Sequence, residues 1–295
     1  MTTTSSSHAV LLKACAAVGL SAEGAGLIRL GENALWRLRA GVVARVARSG
    51  QWPVAVREIA VARWLHENGM PVVRPVEELA EPIVCVDGHP VTFWYELPLH
   101  RPGTGVDMAP LLRRLHELPV PGHINLGVLD PLVRIAERID EAVTLEPQQR
   151  DWLQGHLADL QAAWDEIPAE ASHRVIHGDA WGGNTAVAKT TTYLLDFERT
   201  SVGPPEWDLA TIATGFTSFG SVTAKQYDAI CTAYGADVTT WPGYPLLRNL
   251  RELRVTCFAL QLATADPTRH RAQAHYRLAC IQGREGNRPW GWTAI

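Results

Sequence analysis

The chain has 295 residues, 46% of them apolar and 20% charged, with a net charge of −4. That length carries one large domain or two lobes with separate cores, and the composition excludes general disorder. There is no basic excess to release counterions from a phosphate backbone and no apolar run long enough to span a bilayer, so neither nucleic acid nor membrane is expected as a partner. Ala9–Leu20 contains Lys13 with no basic residue before it, which argues against a secretory signal and for a cytoplasmic protein. Five scattered cysteines form no Cys-x-x-Cys pair, so they read as small core residues in a reducing compartment.

In chain order, residues 1–8 are polar and expected to be disordered, and Ala9–Val18 has helical spacing that stops at Gly19. Leu35–Leu38 and Val42–Val46 alternate, predicting paired strands about a turn at Arg39–Gly41. Val54–Asn68 predicts an amphipathic helix with Val56, Ile59, Ala60, Arg63, Trp64 and Leu65 on one face, ending at Asn68-Gly69 before Pro71. Val72–Val76, Ile83–Val86 and Val91–Leu97 read as strands, with Asp87-Gly88 as a tight hairpin turn. His100–Asp107, rich in Gly and Pro, reads as a linker, and a boundary is placed near Leu97.

Beyond it the pattern is helical: Ala109–Leu118, Leu129–Val143, Pro147–Ile167, Pro205–Phe216, Thr223–Tyr234, Leu246–Ala265 and Pro267–Gln282. Arg251, Arg254 and the acidic side chains between them read as surface charge, and the aromatic tail Arg288–Trp292 is expected to fold back onto the helices.

The chemistry concentrates between Val175 and Glu198. Two short apolar runs, Arg174–Ile176 and Tyr193–Leu195, read as buried strands, and between and after them stand Asp179, Asn184 and Asp196. Asp179 and Asn184 flank a Gly-Gly turn, and Asp196 leaves the next strand. Carboxylate and amide oxygens converging there are hard ligands that suit Mg²⁺ better than zinc. An Asp/Asn-rich turn that merely closes a hairpin is the plainer alternative.

His177-Gly178-Asp179-x-x-x-x-Asn184 followed by Asp196-Phe197-Glu198 resembles the kinase catalytic loop and metal motif. Gly178 and Glu198 replace the Arg and Gly of protein kinases. With Gly203-Pro204-Pro205-Glu206-Trp207-Asp208-Leu209-Ala210, they make the chain similar to the aminoglycoside phosphotransferase and choline kinase family. The resemblance runs from about Leu27 to Ala265 and is strongest at Ile176–Ala210.

It implies an α+β, protein-kinase-like two-lobed fold: a small β-rich N-terminal lobe, residues 1–97, and a larger mostly helical C-terminal lobe, residues 98–295. It implies Asp179 as the group that receives the acceptor's proton, with Asn184 and Asp196 on Mg²⁺. Arg45 stands at the third-strand position on the nucleotide phosphates, where Lys is more usual, paired with Glu58. Gly31-Glu32-Asn33 would be the loop over the phosphates, with Asn33 at its end, and Tyr95 to Leu97 would meet the base through their backbone. His177 is read as structural, Glu198 as a further metal contact and Asp208 as a brace that caps the catalytic loop.

The implied reaction is O-phosphorylation of a small hydroxylated molecule by ATP or GTP, in a monomer or homodimer. An antibiotic, aminoglycoside or nucleoside-type, is the first expectation. A choline- or homoserine-like metabolic kinase, a non-catalytic nucleotide-binding module and a metal-dependent hydrolase are the alternatives. Trp181, Trp207, Phe216 and Trp290 are the aromatics considered for stacking on an acceptor ring.

Overall fold

The computed structural model describes residues 4–31, 33–39, 41–79, 81–167 and 173–293. The chain divides into two compact units: 1–126 with 182–200, and 127–181 with 201–295.

The first unit opens with helix α1 (Thr4–Ala17) and the strands β1 (Gly26–Leu30), β2 (Ala34–Leu38) and β3 (Val42–Val46). Helix α2 (Trp52–Glu67), β4 (Ile83–Val86), β5 (His89–Tyr95), β6 (His100–Pro102) and α3 (Gly105–Glu117) follow. The chain then enters the second unit through α4 (Ile135–Glu141), α5 (Pro147–Asp165) and β7 (Arg174–Ile176). It returns for a 3₁₀ turn (Gly182–Asn184), β8 (Thr185–Ala188) and β9 (Thr192–Leu194). The second unit closes with β10 (Ser201–Gly203), α6 (Glu206–Thr214), α7 (Ala224–Tyr234), α8 (Tyr244–Ala265) and α9 (Pro267–Ile281).

The main sheet is antiparallel in the order β1-β2-β3-β5-β4. Its alternating residues Ala34, Trp36, Leu38, Val42, Ala44 and Val46 turn one face into a core shared with Val10, Leu11, Ala14 and Cys15 of α1. That packing makes Thr4–Ala17 helical, so the expected disorder fails at Thr4–His8; residues 1–3 lie outside the described residues. Glu32 and Ala40, which fall in two of the expected turns, also lie outside them.

Other expectations are corrected. Val72–Val76 forms only isolated bridges, because Pro71 and Pro75 supply no N–H to a ladder. β1 is exposed at every position, so no alternation marked it. The helix expected over Leu129–Val143 begins only at Ile135: Leu129 donates its N–H to Val202 O (2.9 Å), and Arg134 is left-handed at φ 64°. In α2 the buried face carries Ala55, Glu58, Ile59 and Ala62, while Val56 is exposed. Three cysteines are buried, but Cys85 is exposed and Cys231 is half-buried. Among the described residues no helix is long and apolar enough to cross a membrane.

Candidate active site

Two groups of side chains, one in each unit, hold the residues singled out from the sequence. In the first unit, Arg45 lies on β3 opposite Leu35 and Thr92, on the face away from the Ala44 and Val46 core. Its guanidinium is paired with Glu58 of α2 and donates through Nη2 to Glu198 Oε2 at 2.8 Å. Turned with its oxygen inward, the Asn33 amide accepts from Arg45 Nη2 (2.6 Å) and Nε (3.1 Å). Arg57, one residue before Glu58, donates to the Glu198 carbonyl at 2.8 Å. Sequence reasoning passed over Arg57, because its partner is a backbone oxygen remote in the chain.

One cation thus faces several carboxylates. Burial works against the charged Arg45, yet Glu58, Asp196 and Glu198 together hold it above its ordinary range. Burial pushes Glu58 up to about 7, with Arg45 pulling it down and Asp196 and Glu198 pushing it up.

Asn184 and Asp196 are set by a hairpin. β8 pairs with β9 in a register that puts Thr185 opposite Leu194, so Asn184 just before β8 and Asp196 just past β9 share one end. Leu195 N–H donates to Asn184 O at 2.9 Å and fixes that end. Asp196 has φ 63°, a left-handed backbone that Asp tolerates at some cost, and its Oδ1 is buried without a partner. A strained backbone holding an orphaned buried oxygen fits a cation ligand. Among the described residues no cluster of three His, Cys, Asp or Glu stands at metal spacing. Mg²⁺ does not need one, since it takes one or two protein carboxylates and completes its shell from phosphates and water.

In the second unit the loop after β7 is braced from α6. Asp208 is fully buried and accepts from His177 N–H through Oδ2 (2.7 Å) and from Gly178 N–H through Oδ1 (2.8 Å). Trp207 Nε1 donates to Gly178 O at 3.1 Å. Gly178 sits at φ 82°, where a side chain would be strained, which accounts for Gly in this loop position. His177 is buried, and its Nδ1 faces the Asp179 N–H at 3.4 Å. Asp179 is about a third exposed and accepts from Arg251 Nη1 of α8 at 3.3 Å.

The surface reading of α8 is therefore wrong. Arg251 is largely buried, Glu252 is held by Arg288 through two 2.7 Å bonds, and Arg254 donates to Pro131 O at 2.7 Å. Periodicity hid these residues because their partners come from distant segments.

Two further expectations change at the site. Tyr95 N–H donates to Arg74 O (2.9 Å) and its hydroxyl bonds Glu78, so that N–H is not open to a base. Of the four aromatics considered for stacking, Trp207 and Trp290 are buried and Phe216 stacks on Tyr227 at 4.9 Å, leaving Trp181 exposed. The tail packs as expected: Trp290 and Trp292 stack at 5.3 Å against Cys280 and Phe219.

The family model for the phosphotransferase enzyme family matches residues 30–250. No curated protein matches the sequence at a significant level. Among solved structures, an amicoumacin kinase in complex with AMP-PNP, Ca²⁺ and Ami has a TM-score of 0.73 at 12% identity, over 94% of this chain and 93% of that one. A microcompartment-associated aminopropanol kinase gives 0.69 at 17% over 94% of each chain. A choline/ethanolamine kinase family protein from Mesorhizobium loti gives 0.62 at 18%, over 95% and 96%.

Proposed function

The chain belongs to the phosphotransferase enzyme family, acting on hydroxyl groups of small molecules in a kinase-like fold, and we propose that it phosphorylates an antibiotic, using ATP or GTP, in the cytosol. The observation that carries the site assignment is Asp196, left-handed and with an unpartnered buried oxygen, at the hairpin end it shares with Asn184.

In this reading Asp179 accepts the hydrogen bond of the acceptor hydroxyl and takes its proton late in transfer. Asp208 and Gly178 hold that loop in place. Asn184 and Asp196 hold Mg²⁺, with Glu198 as a further contact, and the ion supplies neutralisation of charge on the phosphates. Arg45, positioned by Glu58 and Asn33, forks onto the nucleotide phosphates. Leu97 meets the base through its backbone. The amicoumacin kinase complex with AMP-PNP supports a nucleoside triphosphate donor. The aminopropanol and choline/ethanolamine kinase neighbours support the second reading, a metabolic kinase of small alcohols.

The test is a screen of Mg-ATP and Mg-GTP against aminoglycosides, nucleoside antibiotics, macrolides, choline and homoserine, with mass spectrometry watching for an added phosphate. Transfer to one antibiotic supports the first reading. Transfer to choline or homoserine alone selects the second, and nucleotide binding without transfer to any acceptor leaves an acceptor outside the panel or a non-catalytic nucleotide-binding module.

A further inference from the structure

Arg251 touches the proposed proton acceptor, yet the roles above leave it unused. It projects from α8 with its side chain 15% exposed, and its contact with Asp179 Oδ1 is long for a charge-assisted bond at 3.3 Å. Its Nε is buried with no partner. The Nε of Arg254 is also buried and makes no hydrogen bond, but its Nη1 is tied to Pro131 O at 2.7 Å. Arg248 bonds Asn249 Oδ1 at 3.2 Å and Glu252 is held by Arg288, whereas Arg251 is the one whose bond goes to Asp179. A guanidinium carries five donors in a planar fork, and leaving them unmade in a buried place is costly. Arg251 Nη2 is neither covered nor bonded within the protein, so it is the donor open to a ligand beside Asp179.

We infer that Arg251 selects the acceptor: it holds Asp179 and, through donors unspent on the protein, takes an anionic oxygen group, a carboxylate, lying a few bonds from the hydroxyl that Asp179 receives. This rests on the assignment of Asp179 as the proton acceptor. A carboxylate matches the guanidinium fork in a bidentate pair, which neither an ammonium nor a carboxamide can form, and Asp179 itself takes one Nη1 donor of that fork. Among antibiotic acceptors this favours one that carries a carboxylate beside its hydroxyl and disfavours a polycationic aminoglycoside.

The experiment measures kcat and KM with Mg-ATP for three acceptors of matched shape, carrying a carboxylate, a carboxamide or an ammonium group beside the hydroxyl. Wild type, Arg251→Gln and Arg251→Lys are compared, with a thermal melt to show that each folds. Wild type is expected to favour the carboxylate over the ammonium acceptor by about 10- to 100-fold in kcat/KM, the size of one hydrogen bond to a charged group. Arg251→Gln is expected to erase that preference mainly through KM, and Arg251→Lys to restore part of it, because the charge returns without the fork. Preference for the ammonium acceptor overturns the inference. So does a loss in Arg251→Gln that falls equally on all three acceptors, or transfer confined to a wider hydroxyl panel with none to these three. Absence of transfer to any hydroxyl, or full turnover in Asp179→Ala, overturns instead the phosphotransferase role of Asp179.

Discussion

At Asp196 two unfavourable features coincide, a left-handed backbone and a buried oxygen without a partner, and neither helps the fold. Asp196→Asn keeps the tolerance for that backbone and removes the buried charge. Stability should therefore hold or rise by about 1 kcal/mol, while turnover falls about 10³-fold through lost stabilisation of phosphate charge. Chemical denaturation and kcat on any accepted substrate check the two halves, and an active Asp196→Asn would remove the residue from the site. Asp208 is the opposite case, since its two oxygens satisfy two buried N–H groups. Asp208→Ala should cost about 3 kcal/mol and lower kcat with it, read from denaturant midpoints and initial rates. Glu58 gives a pH dependence. Its carboxyl is raised from 4.5 to about 7, chiefly by burial, so the folded chain holds a proton that the unfolded chain has released. Its stabilising contribution is fully present below 4.5 and is lost as pH rises through about 7. Melting temperatures across that window should decline for wild type, and Glu58→Gln should flatten the decline; parallel curves for the two would contradict it.

The elements that place these groups were unevenly legible. β2 and β3 announced themselves by alternation because one face is core, and Asp87-Gly88 by two residues that accept positive φ, 51° and 80°. β1 has no buried face, and β6 and β10 have three residues each, too few for a period to show. Motif spacing singled out the loop after β7, yet it could not show that Arg251, Glu252 and Arg254 are largely buried, since their partners are fixed only by tertiary packing. The hairpin end that holds Asn184 offers a test at this scale. A Cβ on Gly182 would stand 2.7 Å from Thr104 Cα and 2.8 Å from Gly103 O, both backbone atoms that cannot swing aside. Gly182→Ala should therefore push the 3₁₀ turn out of place, costing about 1–3 kcal/mol. It should also raise the Mg²⁺ concentration needed for half-maximal rate, because Asn184 moves with the turn. A Mg²⁺ dependence equal to that of wild type would show that Asn184 is not tied to the metal.

Across the whole molecule, the fold persists at 12–18% identity to the solved kinases, so few side chains can be carrying the architecture by identity. In this chain the architecture rests on pattern: an alternating sheet packed on α1 and a short stretch, 175–198, where chemistry overrides packing. The fold does not choose the acceptor, since neighbours named for an antibiotic and for an amino alcohol share it. Ligand linkage reaches the nucleotide site without knowing the acceptor. A nucleotide that binds only the folded chain stabilises it by about 2.7 kcal/mol at a hundredfold excess over Kd. Because the chain has two compact units, melting need not be two-state, and one melting temperature would blur the effect. Hydrogen exchange resolves it by segment. Mg-ATP should slow exchange in β2 and β3, in α2 and in residues 182–200, which carry Arg45, Glu58, Asn184 and Asp196. Chelating the metal should remove most of that protection in wild type, and Asp196→Asn should respond little to chelation, because its metal-dependent share is already gone. If the nucleotide protected both proteins equally with and without Mg²⁺, Asp196 would not be a metal ligand, and its strained backbone would need another cause.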